Sequence, residues 1–182
     1  PQYRTLTAAY TGGWPTAILI GEKTVETDLT EVEVSALREA VKHAHSQKNA
    51  EKIGKDEWVF LEGLACYDQW IRHFRNPDKK RDSGDAYNYG IYRDTHRAAS
   101  VFLKEIAPKH PTARVHIEKA ASHFGVEADA LKGAESLLWW QSPEGPDATR
   151  NQHVVKTLGK ARASYASGIK EIELALAQID RK

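Results

Sequence analysis

The chain has 182 residues, with 26 Lys and Arg against 25 Asp and Glu for a formal charge of +1, long enough for one well-buried domain or one domain with a small annex. That balance argues against a nucleic-acid partner, which needs a strongly basic face, and the single cysteine excludes an intramolecular disulfide. No run reaches the roughly 18 consecutive apolar residues of a membrane span, and the N-terminus lacks a signal-peptide pattern, so a cytoplasmic protein with no membrane partner is expected. Pro1 either follows methionine removal or marks a cut in a longer chain.

Residues 1–27 read as an annex. "YRTLTAAY" (3–10), the turn signal "TGGWP" (11–15) and "TAILI" (16–20) suggest a β-hairpin, with Gly12 and Gly13 free to take the positive φ of a tight connection. "AILI" is apolar on both faces and an isolated hairpin is marginal, so this strand either lies on the helices or pairs with a second chain or a missing N-terminal half.

From residue 28 onward the period is helical, and residues 28–182 form the main, mainly α domain. Thr30 with Glu33 reads as a capping box, and Val34, Leu37, Val41 and Ala44 make one stripe of a first helix ending near Ser46. "QKNAEKIGK" reads as a polar link. A second helix starts near Asp56 and stops before Pro77. After the loop 76–85, a third helix from about Ala86 to Ala107 aligns Ile91, Thr95, Ala98, Phe102 and Ile106. Pro111 suits the first position of a fourth helix, which ends at Gly125, and a fifth covers 127–140. "SPEGPD" breaks the chain, and Asp147 caps a long sixth helix with the stripe Val154, Leu158, Ala161, Tyr165, Ile169, Ile172, Leu176 and Ile179. A bundle of about six helices behind a hairpin is the expected fold.

The second helix carries "GLACYDQWIRHF" (63–74), with Cys66, Asp68 and His73, the residue types of a thiol-nucleophile site. Seven residues along a helix separate Cys66 and His73 by about 10 Å, too far for the contact of about 3 Å that thiolate activation needs. Asp68 points about 200° away from Cys66 around the axis. A buried core thiol is therefore the expectation, with a distant histidine partner as the alternative. None of the eight histidines forms an i,i+4 pair, so no metal or other cofactor is expected, although His96, His123 and His153 on separate helices leave a converging site open.

Trp58, Tyr67, Trp70, Tyr87, Tyr89, Tyr92, Trp139 and Trp140 concentrate on helices two, three and five, and rings with polar tips line many small-molecule sites. Core packing is the competing reading. "DKKRD" (78–82) reads as solvated surface, and Arg150, Lys156, Lys160, Arg162 and Lys170 as the outer face of the last helix.

Three segments carry a resemblance. "AILIGEKT" (17–24), "GLACYDQW" (63–70) and "YRDTHRAASVFLKEIA" (92–107) resemble the C-terminal helical part of papain-fold bacterial proteins of the bacteriocin-processing peptidase type, the group related to the acyltransferase of butirosin biosynthesis. Over residues 16–140 the order of elements agrees, and Gly63, Tyr67, Asp68, Trp70, Arg97, Phe102 and Leu103 match the helical pattern. The resemblance implies that the nucleophile lies in an upstream half rather than at Cys66, and that the hairpin is the tail of a larger sheet.

The expected function is thus a helical domain that binds a small molecule or peptide in an aromatic cleft lined by Tyr67, Asp68, Trp70, Tyr92, His96 and Arg97, in the service of a cysteine-dependent amide-hydrolysing or acyl-transferring enzyme. Two alternatives stand beside it: an interaction module using the hairpin edge, and a stand-alone enzyme using Cys66 or a histidine-bound metal.

Overall fold

Asp28 opens the described structure as a helix cap: its carboxylate accepts from the backbone N–H of Thr30 at 2.8 Å and of Glu31 at 3.4 Å. The computed structural model describes residues 28–46, 49–53 and 56–181, with 49–53 and 56–60 as backbone only, so the hairpin expected within 1–27 lies outside the described residues. Helix α1 (Leu29–His45) buries Val34, Leu37 and Ala44 of the stripe its sequence predicts, with Val41 half-buried. The box of Thr30 and Glu33 does not form, because Asp28 satisfies the first N–H groups and Glu33 turns inward to Lys109 and His110.

The expected polar link and the start of the second helix are instead two antiparallel strands, β1 (Asn49–Ile53) and β2 (Asp56–Phe60), with Asn49 opposite Phe60 and Ile53 opposite Asp56. Trp58, Val59 and Phe60 favour the pleated backbone over the helix, and the register leaves only Gly54 and Lys55 between the strands, a two-residue count that begins with glycine. Helix α2 (Gly63–Phe74) therefore begins seven residues later than the expected Asp56. Its first residue has φ 52°, and a Cβ there would lie 2.5 Å from the carbonyl oxygen of Ala44, so only glycine admits this close entry beside α1.

Helix α3 (Ser83–Ile106) starts at a reciprocal capping box, in which the Asp85 N–H donates to Asp82 Oδ1 at 3.0 Å and the Asp82 N–H donates to Asp85 Oδ2 at 2.9 Å. Its inward stripe is Ala86, Tyr89, Ser100, Leu103 and Ile106, with Tyr92, His96 and Ala99 half-buried between them. The expected stripe through Ile91, Thr95 and Ala98 is rotated off this face, since the polar-tipped rings Tyr89, Tyr92 and His96 take the inward places. A single 3₁₀ turn (Ala107–Lys109) leads to α4 (Arg114–Lys132), which runs straight through Gly125. Gly125 is thus no C-cap; it sits beside the Ser100 hydroxyl, 3.3 Å from where a Cβ would be, at the α3–α4 contact. The expected fifth helix shrinks to α5 (Glu135–Leu138), leaving Trp139 and Trp140 outside it.

Helix α6 (Ala148–Ile179) is capped by Asp147 as its sequence predicts and spans 32 residues, about 48 Å. It packs against α1, α2, α4 and α5, and its stripe from Val154 to Ile172 is buried while Leu176 and Ile179 pack at the edge. Arg150 departs from the expected outer face: it is buried and donates to the carbonyls of Pro143 at 2.6 Å and Lys79 at 3.2 Å. The neighbouring Asn151 amide donates to the carbonyls of Asn76, Pro77 and Lys79 at 3.2, 3.2 and 3.0 Å. Arg81, in the loop expected to be solvated, is likewise buried and donates to Ser142 O at 3.1 Å. Both loops at this end of the bundle are held by these three side chains, because buried carbonyls need donors.

Candidate functional site

Glu127 sits in the interior of α4 with no solvent exposure, an unusual place for a carboxylate. Its Oε1 accepts from the Tyr67 hydroxyl on α2 at 2.5 Å and from His96 Nδ1 on α3 at 2.6 Å, while Oε2 is buried without a partner among the described residues. The Tyr67 hydroxyl donates to this Oε1, and with Oε1 as the acceptor the imidazole hydrogen is assigned to Nδ1. No Lys or Arg bonds to Glu127 among the described residues; its hydrogen-bonding partners are one phenol and one imidazole.

Aromatic rings enclose this pair. His96 stacks on Tyr165 of α6 with centroids 4.9 Å apart, and meets Tyr92 and Phe124 edge-on at 5.2 and 5.5 Å. Tyr67 meets Tyr92 edge-on at 5.1 Å. Burial first, and then the Glu127 charge, hold the Tyr67 and Tyr165 hydroxyls well above the usual phenol range; for Tyr92 burial and the neighbouring Cys66 do more than Glu127. All three therefore stay protonated.

The rings around Glu127 line a cleft of about 580 Å³ between α1, α3, α4 and α6. Tyr92, His96, Phe124 and Tyr165 contribute its aromatic side, and Ala36, Ala40, Leu61, Ile91 and Phe102 contribute apolar walls. Ile91, Thr95 and Phe102, expected in the core, flank this opening. Glycine at position 168 keeps Phe124 in place, since a Cβ there would come within 3.0 Å of its ring.

Of the six residues expected to line a site, Tyr92 and His96 line this cleft. Tyr67 lies fully buried behind it, and Trp70 is buried too, its indole N–H donating to Asp85 at 2.9 Å. Asp68 and Arg97 are elsewhere: Asp68 accepts from Arg162 at 2.6 and 2.9 Å, and Arg97 pairs with Asp129 at the surface. The cleft therefore lies between α1, α3, α4 and α6 rather than among helices two, three and five. Trp139 is occupied with Tyr89, at 5.7 Å, and with the Arg93 guanidinium at 5.2 Å.

Cys66 is half-buried rather than a fully enclosed core thiol. Burial pushes its thiol up, with a hydrogen bond to Tyr92 opposing, which is the opposite of the activation a nucleophile needs. Five histidines each face a glutamate: His43 with Glu62, His45 with Glu173, His96 with Glu127, His110 with Glu33 and His116 with Glu171. Among the described residues no three His, Cys, Asp or Glu side chains come together as a metal site, and no helix is long and apolar enough to cross a membrane.

Glu127 escaped the sequence reading because a lone Glu in a helical pattern looks like solvated surface; its one signal was a charge at a position in phase with Ala120, Phe124 and Leu131. Compared with family models, with characterised proteins and with solved structures, the chain finds no match.

Proposed function

We propose that this domain binds a small, mostly apolar molecule in the cleft, with its one polar group placed against His96. The observation that supports this most directly is a mostly apolar opening whose lining includes an imidazole oriented by a fully buried carboxyl group. Sites of this size with few convergent polar groups are the usual form of small-molecule pockets. Cys66, with its thiol held protonated, is not assigned a reaction. In the wider reading drawn from the resemblance, the cleft shapes a substrate site whose nucleophile is supplied by another half.

The test is titration with the neutral fluorophore Nile red. A saturable rise in emission is expected, and Ala40→Trp, which places a ring into the cleft from α1, should abolish it. No saturable binding, or binding unchanged in Ala40→Trp, would remove the reading.

A further inference from the structure

We infer that the ligand of this cleft is an alkyl- or arylalkyl-amine, bound as its ammonium cation with an N–H donated to His96 Nε2. The inference rests on the cleft reading above and adds the charge of the ligand.

The local charge balance carries it. Glu127 is wholly buried, and among the described residues its Oε2 has no partner and its hydrogen-bond donors are the Tyr67 hydroxyl and the His96 ring. A buried carboxyl group with no Lys or Arg against it among the described residues is costly to keep dry, and a cation placed beyond the His96 ring relieves that cost. With Nδ1–H committed to Glu127 at 2.6 Å, Nε2 of this cleft-lining residue keeps its lone pair, an acceptor matched to an ammonium N–H. The imidazole then stands between two opposite charges, Glu127 on one side and the ligand on the other.

The surroundings favour the same sign. Tyr92, Tyr165 and Phe124 offer aromatic rings to the cleft, and ring faces attract ammonium groups. A second carboxylate, Glu62, lies on the cleft wall, 3.6 Å from His43. The apolar walls, Ala36, Ala40 and Phe102 among them, suit a hydrocarbon tail.

Calorimetry with octylamine, octanol and octanoate, each below its micelle-forming concentration, separates the possibilities on the unmodified protein. Octylamine is expected to bind at least about tenfold more tightly than either of the others, a difference well resolved in Kd. Equal binding of all three would overturn the amine inference while leaving the cleft reading in place, and so would tighter binding of octanoate. If none of the three binds, the cleft reading fails and this inference with it. Glu127→Gln should bring octylamine down to the level of octanol; a preference that survives the substitution overturns the role of Glu127. Should that variant not fold, the ring nitrogens of ¹⁵N-labelled His96 in the unmodified protein answer the same question: octylamine must move the Nε2 resonance, and an unmoved resonance overturns the assignment.

Discussion

Tyr67 and His96 approach the same oxygen of Glu127, at 2.5 and 2.6 Å, from two different helices. One buried carboxylate thereby ties α2 and α3 to α4. Tyr67→Phe removes one donor and keeps the ring, whose packing against Tyr92 and Tyr165 is undisturbed. A hydrogen bond to a charged group contributes about 2 kcal/mol, so urea unfolding should report a loss of that order with an unchanged m-value. A loss below about 0.5 kcal/mol would show that the hydroxyl does not hold Glu127 in solution.

Gly63 enters α2 at φ 52° with the Ala44 and His43 carbonyl oxygens 2.5 and 2.6 Å from where a Cβ would stand. Gly63→Ala adds backbone strain to a clash with main-chain atoms that cannot swing aside. Destabilisation of about 3 kcal/mol is expected, read as a lower midpoint in thermal or urea unfolding. A variant as stable as the parent would mean that α2 starts with a different backbone.

Asn151 donates to three carbonyls of the loop before α3 and accepts from Arg150 Nη2 at 3.1 Å. Asn151→Leu conserves bulk and strands the Pro77 carbonyl, while Lys79 O keeps Arg150 and Asn76 O keeps the Lys79 N–H, so a cost of about 2 kcal/mol is expected. The loop 76–82 should become the first site of limited proteolysis, and unaltered digestion would refute its dependence on this amide.

Glu33 is held below its ordinary 4.5, first by the hydrogen bond from the Lys109 ammonium and further by His110, with burial opposing. A carboxyl depressed in the folded state adds stability above its unfolded value and loses it as pH falls through the folded one. The Glu33 contribution to the urea midpoint should therefore be present above pH 4.5 and be lost below it. In Glu33→Gln that acid-side fall should be shallower by an increment of the order of 1 kcal/mol. Parallel curves for the two proteins would contradict this account.

The helices were legible wherever their inward faces are aliphatic. Val34, Leu37 and Ala44 on α1, and Val154 through Ile172 on α6, announce themselves by spacing alone, and Asp147 marks the start of α6 by its chemistry. Along α3 the inward face is made of Tyr89, Tyr92, His96 and Ser100, whose polar tips conceal their burial, so the periodic signal pointed to Ile91 and Thr95 instead. Gly125 and Gly133 look alike in sequence, yet α4 passes through the first and ends at the second. Gly125 lies beside the Ser100 side chain of α3, a neighbour that sequence order does not reveal.

Tyr92 and His96 could be picked out from ring chemistry, but their partner could not. A glutamate on a helix is ordinarily solvated, and Glu127 becomes a site residue only because α4 turns it toward Tyr67 and His96 on two other helices. Periodicity and capping, which act over a few residues of chain, determined the helical nature of this protein. The cleft and its buried charge were decided by the packing of four helices, because burial and convergent hydrogen bonds depend on contacts between residues far apart in sequence.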